Sequence, residues 1–404
     1  MPETIEATFE IVTPMFLGGA SSIELADAIR PPSVKGALRF WWRALQWNNY
    51  YQKTNQDEAL ALTRLHAHEA RLFGHAANDR NLSQGQACFL LRTHIIEPPK
   101  AAALENPGPG QQYLLGQGLY RNGYLRQAIP GGRFAINLRF KRALSSEDRE
   151  TIARALICWG LLGGLGSRAR RGLGSVAIQK IDGVDTKIPT NSDGLRAFIG
   201  ALDTPEPPYS AFSSESRIEV INTGNQSGWN VLGQVGLELL KYRSYGVANA
   251  RTGLHETAGI RAEQNFPNDH DWVLDAVDGN CPLQIPERGV FGFPHNYFFK
   301  SKVDQLKVKG FDNGPAAKRA KAEIAPVTSD RTRRASPLLI HLHKFPDGQT
   351  AAIQSLLPAR FLPPGDPINI KTHQLNNQNC NLPFTPNYQV IHDYLDRFNG
   401  ERVL

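Results

Sequence analysis

The sequence predicts an α+β protein made of two ferredoxin-like (RRM-like) domains, with antiparallel sheets, insertions and a glycine-rich arm. Three observations carry this. First, Ile5, Ala7, Phe9 and Ile11 alternate with polar residues, and Phe134, Ile136, Leu138 and Phe140 do the same with Arg139 and Lys141, as half-buried strands do. Second, helix-period segments lie between and after these strands, in the order β-α-(helix)-β-β-α-β, the split βαβ pattern. Third, the last helix of that series runs into GLLGGLGSRARRGLGSVAI (160–178), a glycine-rich arm ahead of a final short strand.

Taken in order, the first strand covers 5–12 and stops at Thr13-Pro14; a glycine-containing loop, Met15 to Ser22, follows. Pro31 and Pro32 precede Ser33, a good N-cap, and the spacing predicts a helix over 34–47. Val34, Ala37, Leu38, Trp41 and Leu45 form its core stripe. Lys35, Arg39 and Arg43 recur every fourth residue along one line, with Trp42 alongside. That line reads either as a solvated basic face or as a binding surface. Gly36, which costs a helix about 1 kcal/mol relative to alanine, and aromatic rings among the cations favour the second.

Residues 57–73 read as a second helix ending at Gly74, and 86–94 as a strand. The Pro-, Gly- and Gln-rich stretch 97–132 reads as an irregular insertion. Ser145-x-x-Asp148 resembles a capping box ahead of a helix over 147–162, whose stripe is Ile152, Leu156, Trp159 and Leu162. The arm then sets Arg168, Arg170 and Arg171 between Gly163, Gly164 and Gly166 on one side and Gly172 and Gly174 on the other. Glycine allows close backbone approach and positive φ, and arginine supplies planar donors matched to phosphate oxygens. The combination reads as a flexible anion-binding loop, against the alternative of a tight surface connection with solvated arginines.

These patterns divide the chain into an N-terminal domain at 1–182, a Pro-rich linker at 183–215 and a C-terminal domain at 216–404. In the latter, 217–222 and 338–343 read as strands, 229–245 and 388–398 as helices, and Asp347-Gly348 as a hairpin turn into 351–357. Residues 309–334, with Lys318, Arg319, Lys321, Arg331, Arg333 and Arg334, read as a mobile basic loop. The element order suggests a second, decorated ferredoxin-like unit.

The 404 residues carry a net charge of +7 and a pI near 9.2, which suits an anionic partner such as nucleic acid. Cys88, Cys158, Cys281 and Cys380 are far apart with no C-x-x-C pair and read as reduced thiols of a cytoplasmic protein. MPETIEATFE lacks the charge and apolar run of a signal peptide, and no apolar stretch is long enough for a membrane span, so no membrane partner is expected.

Catalytic and cofactor motifs are weak, and neither a cofactor nor a metal is expected. There is no GxxxxGK[ST] and no GxSxG. Gly172-x-Gly174-x-x-Ala177 has the letters of a dinucleotide fingerprint but leads into a strand instead of leaving one. His66, His68 and His75 lack zinc spacing. His341 and His343 share a strand face without an acidic or cysteine partner nearby in sequence. His270-Asp271 and His392-Asp393 are isolated dipeptides. A histidine could serve as general base for metal-independent RNA cleavage, with His75, His255 and His295 as candidates.

TPMFLGGA (13–20), PPSVKGALRFWWRAL (31–45), LFG (72–74) and GLGSRARRGLGSV (164–176) together resemble the RAMP superfamily, and specifically the first RAMP subunit of type III-B (Cmr) CRISPR RNA-guided effector complexes. The motifs span about residues 8–180; the second half matches less crisply. The resemblance implies two ferredoxin-like domains and a non-catalytic role. It implies a subunit that caps a protein filament near the 3′ part of the guide RNA, beside other RAMP subunits, and helps hold guide and target RNA. It implies RNA contacts from Ser33, Lys35, Gly36, Arg39 and Arg43 and from Arg168, Arg170 and Arg171. The alternative expectation is a metal-independent endoribonuclease that processes guide-RNA precursors.

Overall fold

A computed structural model describes residues 3–18, 28–75, 85–98, 104–327, 333–375 and 380–404. Gly19, Ala20, Ser21, Ser22 and Arg331, singled out in the sequence, lie outside the described residues. The chain divides into two compact units: 1–237 with 338–359 and 398–404, and 238–337 with 360–397.

The first unit begins with β1 (Thr4–Ile11), α1 (Pro31–Lys53), α2 (Glu58–Phe73), β2 (Phe89–Glu97), α3 (Pro109–Leu115), β3 (Gly132–Phe140), α4 (Ser146–Leu162) and β4 (Val176–Asp182). The strands form one antiparallel sheet in the order β2-β3-β1-β4, the ferredoxin-like arrangement. β1 is central, with Phe9 opposite Phe134 on β3 and Ile178 on β4. The alternation read from the sequence thus corresponds to one buried face, with Ile5, Ala7 and Phe9 sealed from solvent.

After α5 (Ser192–Ile199), which lies within 183–215, come β5 (Arg217–Asn222) and α6 (Gly228–Arg243). The chain then builds most of the second unit: β6 (Val247–Ala248), β7 (His255–Thr257), β8 (Ile260–Arg261), α7 (Pro267–Val277), β9 (His295–Phe298), α8 (Lys300–Val308), α9 (Asn313–Arg319) and β10 (Lys321–Pro326). It returns with β11 (Leu338–Lys344) and β12 (Thr350–Leu356), departs for β13 (Ile368–Thr372), β14 (Asn381–Leu382) and α10 (Gln389–Leu395), and ends at β15 (Glu401–Arg402). The sheet β11-β12-β5-β15 repeats the strand order of the first, with β5 in the place of β1. The fold class is therefore two ferredoxin-like sheets, and the decoration of the second is a separate compact unit. That unit holds the sheets β14-β13-β10-β9 and β6-β7-β8 around a core of its own.

Several expectations are corrected. α1 starts at Pro31 with Arg30 as N-cap, and Ser33 lies inside the first turn without a side-chain cap. Two prolines, whose φ is preset and whose missing N–H groups are not needed there, suit the first helical positions. Trp42 belongs to the core and not to the basic face: it is fully buried, and its indole donates to Thr151 Oγ1 at 3.1 Å. α4 has the expected cap, Ser145 accepting from Asp148 N at 3.1 Å, but it is buried on nearly every side and not along one stripe. A single core runs from Phe9 and Ile178 of the first sheet through α4 to Ile218 and Ile353 of the second. Gly160 allows this closeness, since a Cβ there would stand 2.4 Å from that of Ile178.

The strand expected at 86–94 is displaced to β2, and the irregular insertion at 97–132 contains α3. The segment 309–334 contains α9 and β10; Ile324, Ala316 and Ala320 are small or apolar anchors sealed from solvent. Cys281 and Cys380 form a disulfide, a pairing hidden in the sequence because 99 residues separate the partners; Cys88 and Cys158 are free and buried. Among the described residues no helix is long and apolar enough to cross a membrane.

Candidate nucleic-acid interface

The glycine-rich arm is an ordered, packed element and not a flexible loop. Leu165 and Leu173 are buried and anchor it. Its backbone is laced to the loop after β1: Gly174 N donates to Pro14 O (2.9 Å), Ser167 N to Phe16 O (3.0 Å) and Thr13 Oγ1 to Gly172 O (2.6 Å). On its other side it meets β11, where Ile340 N donates to Arg170 O at 2.9 Å and Leu342 N to Ser175 Oγ at 3.1 Å. Gly172 and Gly174 take positive φ, +78° and +62°, and the backbone of Leu165 and the side chains of Leu232 and Leu342 leave no room for a Cβ at either. The glycines therefore serve tight packing between the two sheets, and the arginines are presented from a rigid base.

Arg168 is the unusual member. Its backbone is left-handed, φ +61°, a conformation that costs a non-glycine residue about 1–2 kcal/mol. Its guanidinium is half-buried over Gly116, where a Cβ would stand 2.6 Å from Nη2. Gly116 ends α3, and α3 is held against α6 by glycines in van der Waals register: a Cβ on Gly110 would lie 1.9 Å from Gly233 O. Among the described residues no carboxylate pairs with Arg168, and burial alone draws its pKa down. A half-buried, uncompensated cation is a site that favours an anion.

Arg170 connects the arm to α1. Its guanidinium lies over the Phe40 ring, 5.0 Å from the centroid. Phe40 is one helical turn from Gly36, so the arm comes to the face where the helix backbone is bare. A Cβ on Gly36 would meet nothing within 4 Å among the described residues; the glycine answers to no neighbour among them. Lys35 beside it has no ion pair among the described residues. Arg171 N closes a turn on Arg168 O at 2.8 Å. Ser33 sits in the first turn of the same helix.

Arg39 and Arg43 are differently employed. Arg39 Nε lies 2.5 Å from Glu69 Oε1, and Arg43 Nη1 3.8 Å from Oε2. Glu69 is only 2% exposed, Arg39 33%. The two arginines thus neutralise a buried carboxylate on α2. The sequence does carry a trace of this: Glu69 falls in line with Ala61, Leu65 and Leu72, so a charge stands on an apolar stripe. Gly116, against which the Arg168 guanidinium lies, has no such trace.

The histidines weighed for metal binding, His341, His343 and His68 among them, are placed elsewhere. His341 Nδ1 donates to Gly163 O at 2.6 Å, and its Nε2 stands 3.4 Å from His343 Nδ1. Burial draws both down, His343 to about 4 and His341 well below its ordinary value. They are neutral packing groups beneath the arm. His68 bonds Asp148 Oδ1 at 2.7 Å and the Tyr50 hydroxyl, while Arg71 grips the same carboxylate with two donors. Burial opposes ionisation of Asp148, but the bonds from Arg71 and His68 hold its pKa at about 2. Among the described residues no group of three or more His, Cys, Asp or Glu could hold a metal ion.

Residues 8–177 match the model of the RAMP superfamily. A curated relative, a chaperone for lacto-N-biosidase from Bifidobacterium longum subsp. longum, is 29% identical over 99 residues, 22% of this chain, and the chain covers 35% of that relative's length. Among solved structures, Cmr1 from Pyrococcus furiosus in its apo form is 16% identical, with 99% of this chain and 98% of that one covered and a TM-score of 0.47. A chain of the type III-B Cmr-beta complex bound to cognate target RNA is 11% identical, with 90% and 97% covered and a TM-score of 0.49.

Proposed function

We propose that this chain, which belongs to the RAMP superfamily through residues 8–177, is an RNA-binding architectural subunit of a type III-B CRISPR effector complex. In this reading it caps the protein filament near the 3′ part of the guide RNA, touches guide and target, and performs no chemistry on either. It works in the cytoplasm beside other RAMP subunits.

One observation carries the reading: a half-buried Arg168 without an acidic partner among the described residues, two residues from an arginine that reaches the Gly36–Phe40 face of α1. The arm and α1 then offer a phosphate chain four things. Arg168 is a desolvated cation that need not shed a carboxylate first. Lys35 is a point charge at the edge. Gly36 gives bare helix backbone for close approach. Arg170, oriented by Phe40, gives a planar fork. Arg171 and Ser33 flank these. Arg39 and Arg43 contribute field more than direct contact, because Glu69 holds them. Contacts to phosphates position a strand without reading its sequence, which suits a subunit that must accept any guide.

The test is the double variant Arg168→Ala, Arg171→Ala, measured against single-stranded RNA by anisotropy across a salt series. Affinity should fall, and the slope of log K against log salt should lessen by about 1 to 2 as phosphate contacts are removed. Unchanged affinity at low salt, with the fold intact, contradicts the proposal.

A further inference from the structure

We infer that the second unit carries a nucleobase site of its own: a cleft that takes one unpaired base, with its phosphate, of a single-stranded RNA. The inference rests on the RNA-binding reading but on none of its residues. The cleft has a volume of about 720 Å³, room for a nucleotide and its waters. Its walls are β6, β7, β9 and the starts of α7 and α8, all within the second unit.

The chemistry of the walls is that of a stacking site. Tyr245 and His270 lie face to face, centroids 3.9 Å apart and planes within 11°, and His255 closes edge-on against Tyr245 at 5.0 Å. Phe298 stands at the mouth with 56% of its surface exposed, on β9, which is an edge strand of its sheet. An aromatic ring so placed loses free energy to water unless something covers it. Any base offers a π-face, so a ring at the mouth of an aromatic cleft suits a base regardless of sequence.

Polar groups are set around this aromatic body. Arg288 is fixed by Asp269 (Nε to Oδ2, 2.9 Å) and by the carbonyl of Arg243 (2.8 Å), with its plane over Tyr297 at 5.3 Å. The Tyr297 hydroxyl is buried beside it, and burial pushes its pKa up to about 12. Lys300 is exposed and loosely paired, 3.8 Å from Asp304. Glu256 accepts from Asn249 at 2.9 Å. The four charged side chains of the lining, Arg288, Lys300, Glu256 and Asp304, cancel in formal charge. Stacking, with donors and acceptors for a base edge, therefore carries this site, whereas the arm and α1 carry a phosphate site. The two differ in salt dependence: weak here, steep there.

The experiment uses the full chain with a short single-stranded RNA containing 5-iodouridine, irradiated and mapped by mass spectrometry, and in parallel with AMP or UMP by calorimetry. A crosslink to the peptide holding Phe298 or Tyr245 is expected, together with a roughly 10-fold loss of RNA affinity for Phe298→Ala. Phe298 is exposed, so the variant should fold; His270→Ala serves as a second probe of the wall. The crosslink should persist in the Arg168→Ala, Arg171→Ala background, which separates this site from the first. Saturable mononucleotide binding lost in Phe298→Ala, without the RNA crosslink, would assign the cleft to free nucleotides and overturn the RNA inference. Crosslinks confined to the first unit, with Phe298→Ala unchanged, overturn it as well while leaving the arm site standing. Loss of all RNA binding only in the arginine variant has the same meaning.

Discussion

Replacing Gly36 by alanine separates the needs of the helix from those of a ligand. Gly36 lies in the second turn of a 23-residue helix, and a methyl group there would meet nothing within 4 Å among the described residues. No packing term enters, so the change in stability is the change in helix propensity, about 1 kcal/mol in favour of alanine. With a urea m-value near 3 kcal/mol/M, that moves the midpoint up by roughly 0.3 M. Tryptophan fluorescence reports on it well, since Trp41, Trp42, Trp47, Trp159 and Trp229 all belong to the first unit. If RNA phosphates approach the bare backbone at this point, the same methyl group obstructs them, and affinity should fall about 10-fold, or 1.4 kcal/mol. The signs are opposite: a more stable protein that binds less well. A gain in stability with affinity unchanged would refute the assignment of Gly36 to the interface. No gain in stability would refute the argument that the glycine answers to nothing among the described residues.

Three further outcomes follow from the same geometry. Arg39→Ala leaves Glu69 buried with only the distant Arg43 and should lower unfolding free energy by about 3 kcal/mol; adding Glu69→Gln should restore most of it, and a neutral Arg39→Ala would contradict the pairing. His343 is held neutral by burial, at about 4 against about 6.5 when unfolded, so its stabilisation is complete above pH 6.5 and shrinks as pH falls towards 4. His343 should then contribute about 2 kcal/mol to the fall in unfolding free energy between pH 7 and pH 5, with His343→Gln losing most of that part and a flat profile in the wild type counting against it. Repeat-containing RNA incubated with the protein in chelator should remain whole; a discrete cut abolished by one histidine substitution would favour a ribonuclease.

The ferredoxin-like order of the first sheet was legible because its strands alternate along their own length and its helices mark their own starts, α1 with Pro31-Pro32 and α4 with the Ser145 cap. Periodicity is local, and burial of one face follows from it. The second sheet was legible only in outline, since a separate unit interrupts it twice and β15 is two residues long, too short to show a period. Charge was legible as composition: Lys35, Arg39, Arg43, Arg168, Arg170 and Arg171 stand out by type and spacing. Which of these cations is available was not. Glu69 neutralises two of them from a helix some thirty residues away, Phe40 orients a third from α1, and Gly116 admits a fourth from inside an insertion without pattern. The Cys281–Cys380 link and the aromatic cleft of the second unit are likewise products of long-range closure. A side chain's charge is a property of its residue, but its hydration and its partners are properties of the packing, and only the folded chain decides them.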